Sequence, residues 1–416
     1  MKQVWLCSLL VSWFWGRIIC AAEPSVPVAK PENKPVRLYG VLNSSLEHAI
    51  AGRDSGWRVA IISIGWDLFE PKQGVINRAY VDEIARKKQA FRKLGYELQV
   101  DFGIQYAPEW VFKLPQGRYR NQYGDEFKTG ECGKNVPNVV FNAGVRQAIS
   151  NYFNEIFIRL GTDWDFVRLG CAKYGELNYP QAKYRGYTNC YWAFDDLAQG
   201  KTAGLPSGIS PCPVPGWRPG LPSPLHASAR TFAGWYLDCL KNYQDWQIAT
   251  VRRWYGGDLC LLYGSAGLRP DWLESAIIHD LSGITSAEMN GEIQQGYDWT
   301  RMIGSLKDPK AIVYCTWIDG TLQNHKTFDD DSRDPNRWSP VHWQVSLART
   351  NPLKLRVWGE NTGRNNRETM RATFEYLKRY NLMGVMWAFE PDLFADPNPN
   401  DCATFADYAE FIRRYW

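Results

Sequence analysis

The sequence is short of histidine, of paired cysteines and of long charge runs, and each shortage removes a class of chemistry. Its five histidines, His48, His226, His279, His325 and His342, show no HExxH or other paired spacing, which argues against a metal hydrolase. Of ten cysteines none forms a CxxC pair, so a structural zinc site has no ligand pattern to use. No Gly-rich fingerprint follows the first apolar run, against dinucleotide binding, and no GxSxG or Ser/His/Asp arrangement is present. Net charge is only +4, and neither half carries a basic block of the kind that binds nucleic acid. Asp329, Asp330, Asp331 and Asp334 lack the alternating ligands and turn glycine of a calcium hand and read as a solvated acidic loop. Neither a cofactor nor a metal is expected.

Aromatic residues are plentiful: 20 Trp, 22 Tyr and 18 Phe. Their flat apolar faces pack against the C–H faces of sugars while their polar edges stay hydrated, although an aromatic-rich core would look the same. Residues 1–22 read as a signal peptide, with Lys2, the largely apolar run Val4 to Trp15, and small residues Cys20-Ala21-Ala22 before Glu23. Arg17 interrupts the run, which is too short and too broken to span a membrane. A secreted or periplasmic protein is expected, with no membrane attachment after cleavage. Residues 23–35 carry four prolines and read as a linker, and residues 36–416 as one domain without internal repeat. In an oxidising compartment Cys190 and Cys212, flanking a loop-like segment, are a candidate disulfide, whereas Cys171, Cys260 and Cys315 fall on predicted strands as small core residues.

From residue 36 onward, nearly continuous apolar runs alternate with helical patterns. The predicted strands are Val36–Asn43, Trp57–Gly65, Tyr96–Phe102, a fourth ending near Glu176, Leu259–Gly264, Ala311–Ile318, Leu355–Trp358 and Gly384–Ala388, with Ile284–Asn290 as a rival that makes the count eight or nine. Helices are predicted over Ala79–Leu94, Ala143–Leu160 and Ala227–Tyr255, the second with Val145, Ile149, Phe153, Ile156 and Leu160 at helical spacing. Such alternation means a parallel sheet covered on both faces, and the expected fold class is α/β, a single (β/α)8 TIM barrel. The Pro- and Gly-rich stretch Gln199–Pro224 is long enough to be a functional loop and is expected to wall one side of a cleft.

Active-site groups of such barrels stand at the C-terminal rim of the sheet. Two stretches deliver a carboxylate there: WDFVRLGCAKYGELNYP (Trp164–Pro180) ends its apolar run at Glu176, and KLRVWGENTG (Lys354–Gly363) ends at Glu360. Two rim carboxylates suggest glycoside hydrolysis, in which one acid protonates the departing oxygen and the other acts as nucleophile or as base for water. The bland alternative for each is an ion pair with a neighbouring loop arginine. Asp67, Glu70 and Asp101 are candidates for holding sugar hydroxyls, together with Asn178 and Asn361. Trp66, Tyr106, Trp110, Tyr179, Tyr263, Trp317 and Trp387 are candidates for holding sugar rings, with Trp387 placed as a platform at the end of strand eight and Glu390 as its brace.

The motifs carry a resemblance. YGELNYP looks like the GELRYP stretch around the catalytic acid of β-amylases (glycoside hydrolase family 14), and GENTG at 359–363 is similar to the GENAL segment of the same family. GWDLFEPKQG at 65–74 resembles the second-strand loop of family 42 and 35 β-galactosidases. These families share the (β/α)8 barrel, and the resemblance implies a carbohydrate substrate and places the general acid at Glu176. Where β-amylases carry their second carboxylate, this chain has Trp317, with Asp319 two residues on. The galactosidase-like families instead place a nucleophile at the end of strand seven, where Glu360 falls. The expectation is therefore a retaining glycosidase using Glu176 and Glu360. Alternatives are an inverting pair of Glu176 with Asp319, a second carboxylate from Glu288 or Glu292, or a carbohydrate-binding barrel without catalysis.

Overall fold

A computed structural model describes residues 36–128, 135–170, 173–284, 287–320, 328–363, 365–398 and 401–415. The signal-like segment, the Pro-rich linker, Cys132 and Cys171 lie outside them. Eight parallel strands follow in order: β1 (Leu38–Val41), β2 (Val59–Ser63), β3 (Glu97–Asp101), β4 (Phe166–Leu169), β5 (Asp258–Tyr263), β6 (Ala311–Cys315), β7 (Arg356–Gly359) and β8 (Gly384–Trp387). Each pairs with its sequence neighbours, β8 returns to β1 with Leu38 opposite Gly384, and a parallel bridge between Glu360 and Met386 joins β7 to β8. The sheet is thereby wrapped into a (β/α)8 barrel. Among its described residues the rival segment around Ile284–Asn290 supplies no strand, because residues 287–295 are helical.

The strands read as unbroken apolar runs because both faces are buried. Outward positions such as Ile62, Val100, Val167, Leu261, Val313 and Val385 pack under the helices, and inward positions such as Val59, Ile61, Phe166, Leu262, Ile312, Trp358 and Met386 fill the barrel. Outer helices start where side chains satisfy otherwise orphaned amides. Asn77 caps Arg78–Lys93, Asn142 caps Ala143–Leu160, Ser339 caps Pro340–Thr350 and Asn366 caps Arg367–Tyr380, each accepting from a backbone N–H in the first turn. Among the described residues no helix is long and apolar enough to cross a membrane.

Two expectations about the periphery are corrected. Cys190 and Cys212 are both free, buried thiols, and Asn121 Nδ2 lies 3.7 Å from the Cys190 sulfur. The Gln199–Pro224 segment lines no part of the cleft. It folds onto the helix Ala227–Val251 instead, with Trp217 against Phe232 and Trp235 Nε1 donating to the Ser210 carbonyl, because its few apolar side chains find cover there. The acids of the 329–334 loop are spent on protein partners: Asp330 accepts from the Ser339 and Tyr380 hydroxyls, while Asp329 and Asp331 pair with Arg337 and Arg379.

Candidate active site

Polar residues break the apolar pattern of the barrel at inward positions near the C-terminal ends of the strands. Asp101 ends β3, Arg168 is the third residue of β4, Tyr314 the fourth of β6, and Glu360 follows β7 directly. Side chains alternate along a strand, so these four turn inward together. Above them opens a cleft of ≈590 Å³ whose lining includes Asp101, Arg168, Glu176, Thr316, Trp317 and Glu360.

Glu360 is 9% exposed and is held from two sides. Arg168 Nη1 lies 3.2 Å from its Oε2, and the Tyr314 hydroxyl donates to the same oxygen at 2.8 Å. The Arg168 guanidinium also lies over the Tyr314 ring, 4.9 Å from its centre. Burial pushes the Glu360 carboxyl above its ordinary value, against the pull of Arg168 and the Tyr314 hydrogen bond. For Arg168, burial pulls downward but Glu360, Tyr314 and Asp101 outweigh it, so the guanidinium stays charged. The glutamate is thus an ion-pair partner of an arginine, as the bland alternative had it, yet that arginine comes from the barrel floor and the pair faces the cleft.

Glu176 arrives differently from expectation. Strand β4 stops at Leu169, and Glu176 is carried by the loop beyond it, not by the strand tip. Tyr174 (φ 58°) and Gly175 (φ 86°) are successive left-handed residues that turn the chain back over the barrel. The Leu177 N–H then donates to the Leu262 carbonyl of β5 at 2.9 Å, which pins the loop. The carboxylate accepts from the Thr316 hydroxyl at 2.6 Å and lies where a Cβ on Gly264 would be. A glycine at the end of β5 is what makes room for this acid.

Of the other sequence candidates, Asp101, Tyr106, Trp317 and Asn361 line the same cleft. Asp101 accepts from the Gly103 N–H (2.9 Å) and from Gln105 Nε2 (3.3 Å), and Asn361 is clamped to the Ala388 backbone through both ends of its amide. The rest do not line it. Trp387 and Tyr263 occupy outward positions of β8 and β5 and enter the layer under the helices, so Trp387 is a core residue and not a sugar platform. Phe389, 39% exposed, lines the cleft wall past β8 instead. Trp66 is fully buried, stacked on Tyr152 at 4.9 Å, and its indole N–H donates to Glu70. Glu70 also accepts from the Gly74 N–H, so it braces its own loop. Asp67 is exposed and accepts from the Leu68 N–H, while Trp110 donates to the Glu70 carbonyl outside the cleft. Asn178 donates to the Tyr297 hydroxyl, and Tyr179 stacks on Tyr236 at 4.0 Å in the core. Asp319 is fully buried and accepts from the Thr362 amide (2.7 Å) and hydroxyl (2.9 Å), bracing the loop after β7. Glu390 takes the Ser45 N–H and lies 2.9 Å from His48 Nδ1, tying down the β1 loop. Glu292 is buried in a turn formed by Ser265 and Gly267, where burial raises its carboxyl to about 7. The side chain of Glu288 lies outside the described residues.

Sequence reasoning passed over Arg168, Tyr314, Thr316, Gln105, Tyr174, Ser265, Gln295, Tyr297 and Phe389, all of which line the cleft or hold a residue that does. Arg168 had a signal: a lone cation inside the apolar run Phe166–Leu169, on the face opposite Val167 and Leu169.

No protein-family model matches this sequence, and no curated protein matches it either. Solved structures do resemble the fold. The catalytic domain of β-amylase from Paenibacillus polymyxa gives a TM-score of 0.62 at 14% identity, over 90% of this chain and 96% of that one. The β-galactosidase of the Antarctic haloarchaeon Halorubrum lacusprofundi gives 0.58 at 12% identity, over 91% of this chain and 58% of that one. The β-galactosidase of Bacillus circulans sp. alkalophilus gives 0.56 at 12%, over 92% and 56%. At these identities the likeness is one of architecture: the chain has a (β/α)8 barrel of the kind seen in these β-amylase and β-galactosidase structures.

Proposed function

We propose that this protein is a retaining glycoside hydrolase acting on an oligo- or polysaccharide, with Glu176 as acid/base and Glu360 as nucleophile. The observation that carries the proposal is that these two carboxylates, from segments far apart in the chain, line one cleft at the rim of the barrel. Glu176 would protonate the departing glycosidic oxygen while Glu360 attacks the anomeric carbon. Water would then release the sugar from Glu360, with Glu176 taking its proton. Arg168 and Tyr314 suit the nucleophile role, because they fix the carboxylate and favour its ionised form. The inverting partnership with Asp319 has less support, since that carboxylate is fully buried, takes both Thr362 hydrogen bonds on one oxygen, and does not line the cleft. Trp317, Tyr106 and Phe389 offer aromatic surface for sugar rings. Export, proposed from residues 1–22, would bring the enzyme to a polymer outside the cell; N-terminal sequencing of the mature protein should begin at Glu23.

The test is turnover of a panel of aryl glycosides with product configuration followed by NMR. Wild type should release the sugar with retained anomeric configuration, and Glu176→Gln and Glu360→Gln should each lose at least roughly a thousandfold in kcat. Azide added to Glu360→Ala should give a glycosyl azide of inverted configuration. Full activity in either glutamine variant removes that residue from the mechanism, and saccharide binding without turnover in wild type leaves a carbohydrate-binding barrel.

A further inference from the structure

A second cavity of ≈590 Å³ lies on the flank of the barrel and shares no lining residue with the cleft. Its walls are the loop after β2, Trp110, and one face of the helix Ala143–Leu160. Lining positions 144, 147, 148, 151, 154 and 155 recur every three or four residues, so they form a single stripe along the helix.

The chemistry of this groove is selective. Trp110 is held in one orientation, because its indole N–H donates to the Glu70 carbonyl (3.0 Å) and its ring meets the buried Trp66 edge-to-face at 5.7 Å. Four amides, Gln73, Gln147, Asn151 and Asn154, share the groove with it. Gln147 donates to Asn151 at 2.8 Å, whereas Gln73 and Asn154 spend no side-chain hydrogen bond on another described residue. The charges present cancel or are already used: Glu155 pairs with Arg159 at 2.8 Å, and both oxygens of Glu70 accept from Trp66 and Gly74. A fixed aromatic face, amides that both donate and accept, and no uncompensated charge match a neutral pyranose, with its apolar C–H face and ring of hydroxyls. They give a phosphorylated or strongly acidic ligand nothing to pair with.

We infer that this groove is a second saccharide site, holding a short stretch of neutral polysaccharide on the flank while another part of the same polymer occupies the cleft. The inference rests on the saccharide reading of the cleft and adds a non-catalytic site. Holding the polymer at two places raises its effective concentration at the cleft without touching the chemistry. The groove accounts for Trp110 and the Glu70 loop, which the motifs single out and the cleft does not use.

The test is retardation in native gels containing xylan, galactan, mixed-linkage β-glucan, mannan or starch, run in a Glu176→Gln background so that the polymer survives. Two changes on the exposed helix face probe the groove: Asn151→Trp fills it, and the Gln147→Ala, Asn154→Ala double variant removes two of its four amides. At least one polymer should retard the parent, and both groove variants should bind it roughly tenfold more weakly, the loss expected when a central anchor is blocked. In the active background, aryl glycoside turnover should be unchanged. Groove variants retarded as strongly as the parent overturn the inference, as does a parent that no polymer retards. If wild type cleaves no aryl glycoside but the groove variants still lose retardation, the hydrolase proposal fails and the second site stands.

Discussion

At the scale of single residues, the arrangement around Glu360 decides what the cleft can do. A carboxylate buried with neither partner would take up a proton and be useless as a nucleophile near neutral pH. Arg168 and Tyr314 both bind the oxygen Oε2, and both favour the anion. Removing the phenol should therefore raise the Glu360 pKa further. If Glu360 must be ionised to react, activity falls as pH drops through that value, so the acid limb should move upward. For Tyr314→Phe we expect the acid limb of kcat/KM to shift up by about one pH unit, with kcat reduced roughly tenfold or more. An unmoved acid limb would deny Glu360 the ionised role. Arg168 is the costlier loss, because it would leave a buried charge without its partner, at about 3–5 kcal/mol of stability.

At the scale of elements, the two acids are presented by opposite means. Glu360 extends a strand, so its direction follows from the alternation of β7. Glu176 depends on a loop that doubles back, with Tyr174 and Gly175 in the left-handed region and Leu177 anchored on β5. Neighbouring strands must then leave space, and Gly264 does: a Cβ there would overlap the Glu176 carboxyl group. Gly264→Ala should displace Glu176 and lower kcat by about a hundredfold. The melting temperature should stay within a few degrees of wild type, since the clash falls on the far end of a side chain at the cleft. Wild-type turnover in this variant would show that the position of Glu176 is not critical.

At the scale of the whole molecule, the barrel tolerates buried acids where loops cover them, and this makes stability depend on pH. Burial lifts Glu292 from 4.5 to about 7, with the Ser265 hydroxyl and the Gly267 N–H opposing. A carboxyl with a raised folded-state pKa adds stability that is fully present below its unfolded value and is lost as pH rises through the folded one. Between pH 5 and 8 the wild type should lose up to about 3 kcal/mol from this group, while Glu292→Gln should lose much less. Thermal melts of both proteins across that range check it. Parallel curves would mean that Glu292 stays ionised in the fold.

The order of strands and helices was legible in the primary structure because each strand is buried on both faces and several of the outer helices have a capped start. The helix Ala143–Leu160 falls where its apolar spacing predicts. Strand ends were legible only to within a few residues, and so Glu176 looked like a strand tip when it belongs to a returning loop. Glu176 and Glu360 stood out as single acids after apolar runs, and only three-dimensional closure brings both to one cleft. Trp387, Tyr263, Trp66 and Tyr179 carry the same residue types as a sugar-binding wall. Whether such a ring meets solvent or core depends on which face of a strand or helix it occupies once the barrel has closed. The partners Arg168 and Tyr314 belong to different strands, β4 and β6, far apart in the chain, and their meeting at Glu360 was set by register between strands. The sequence alone determined that a covered parallel sheet would form and that Glu176 and Glu360 would follow two of its apolar runs. The tertiary structure decided which of those acids meet, because contact between distant strands is a property of the closed sheet and not of any segment within it.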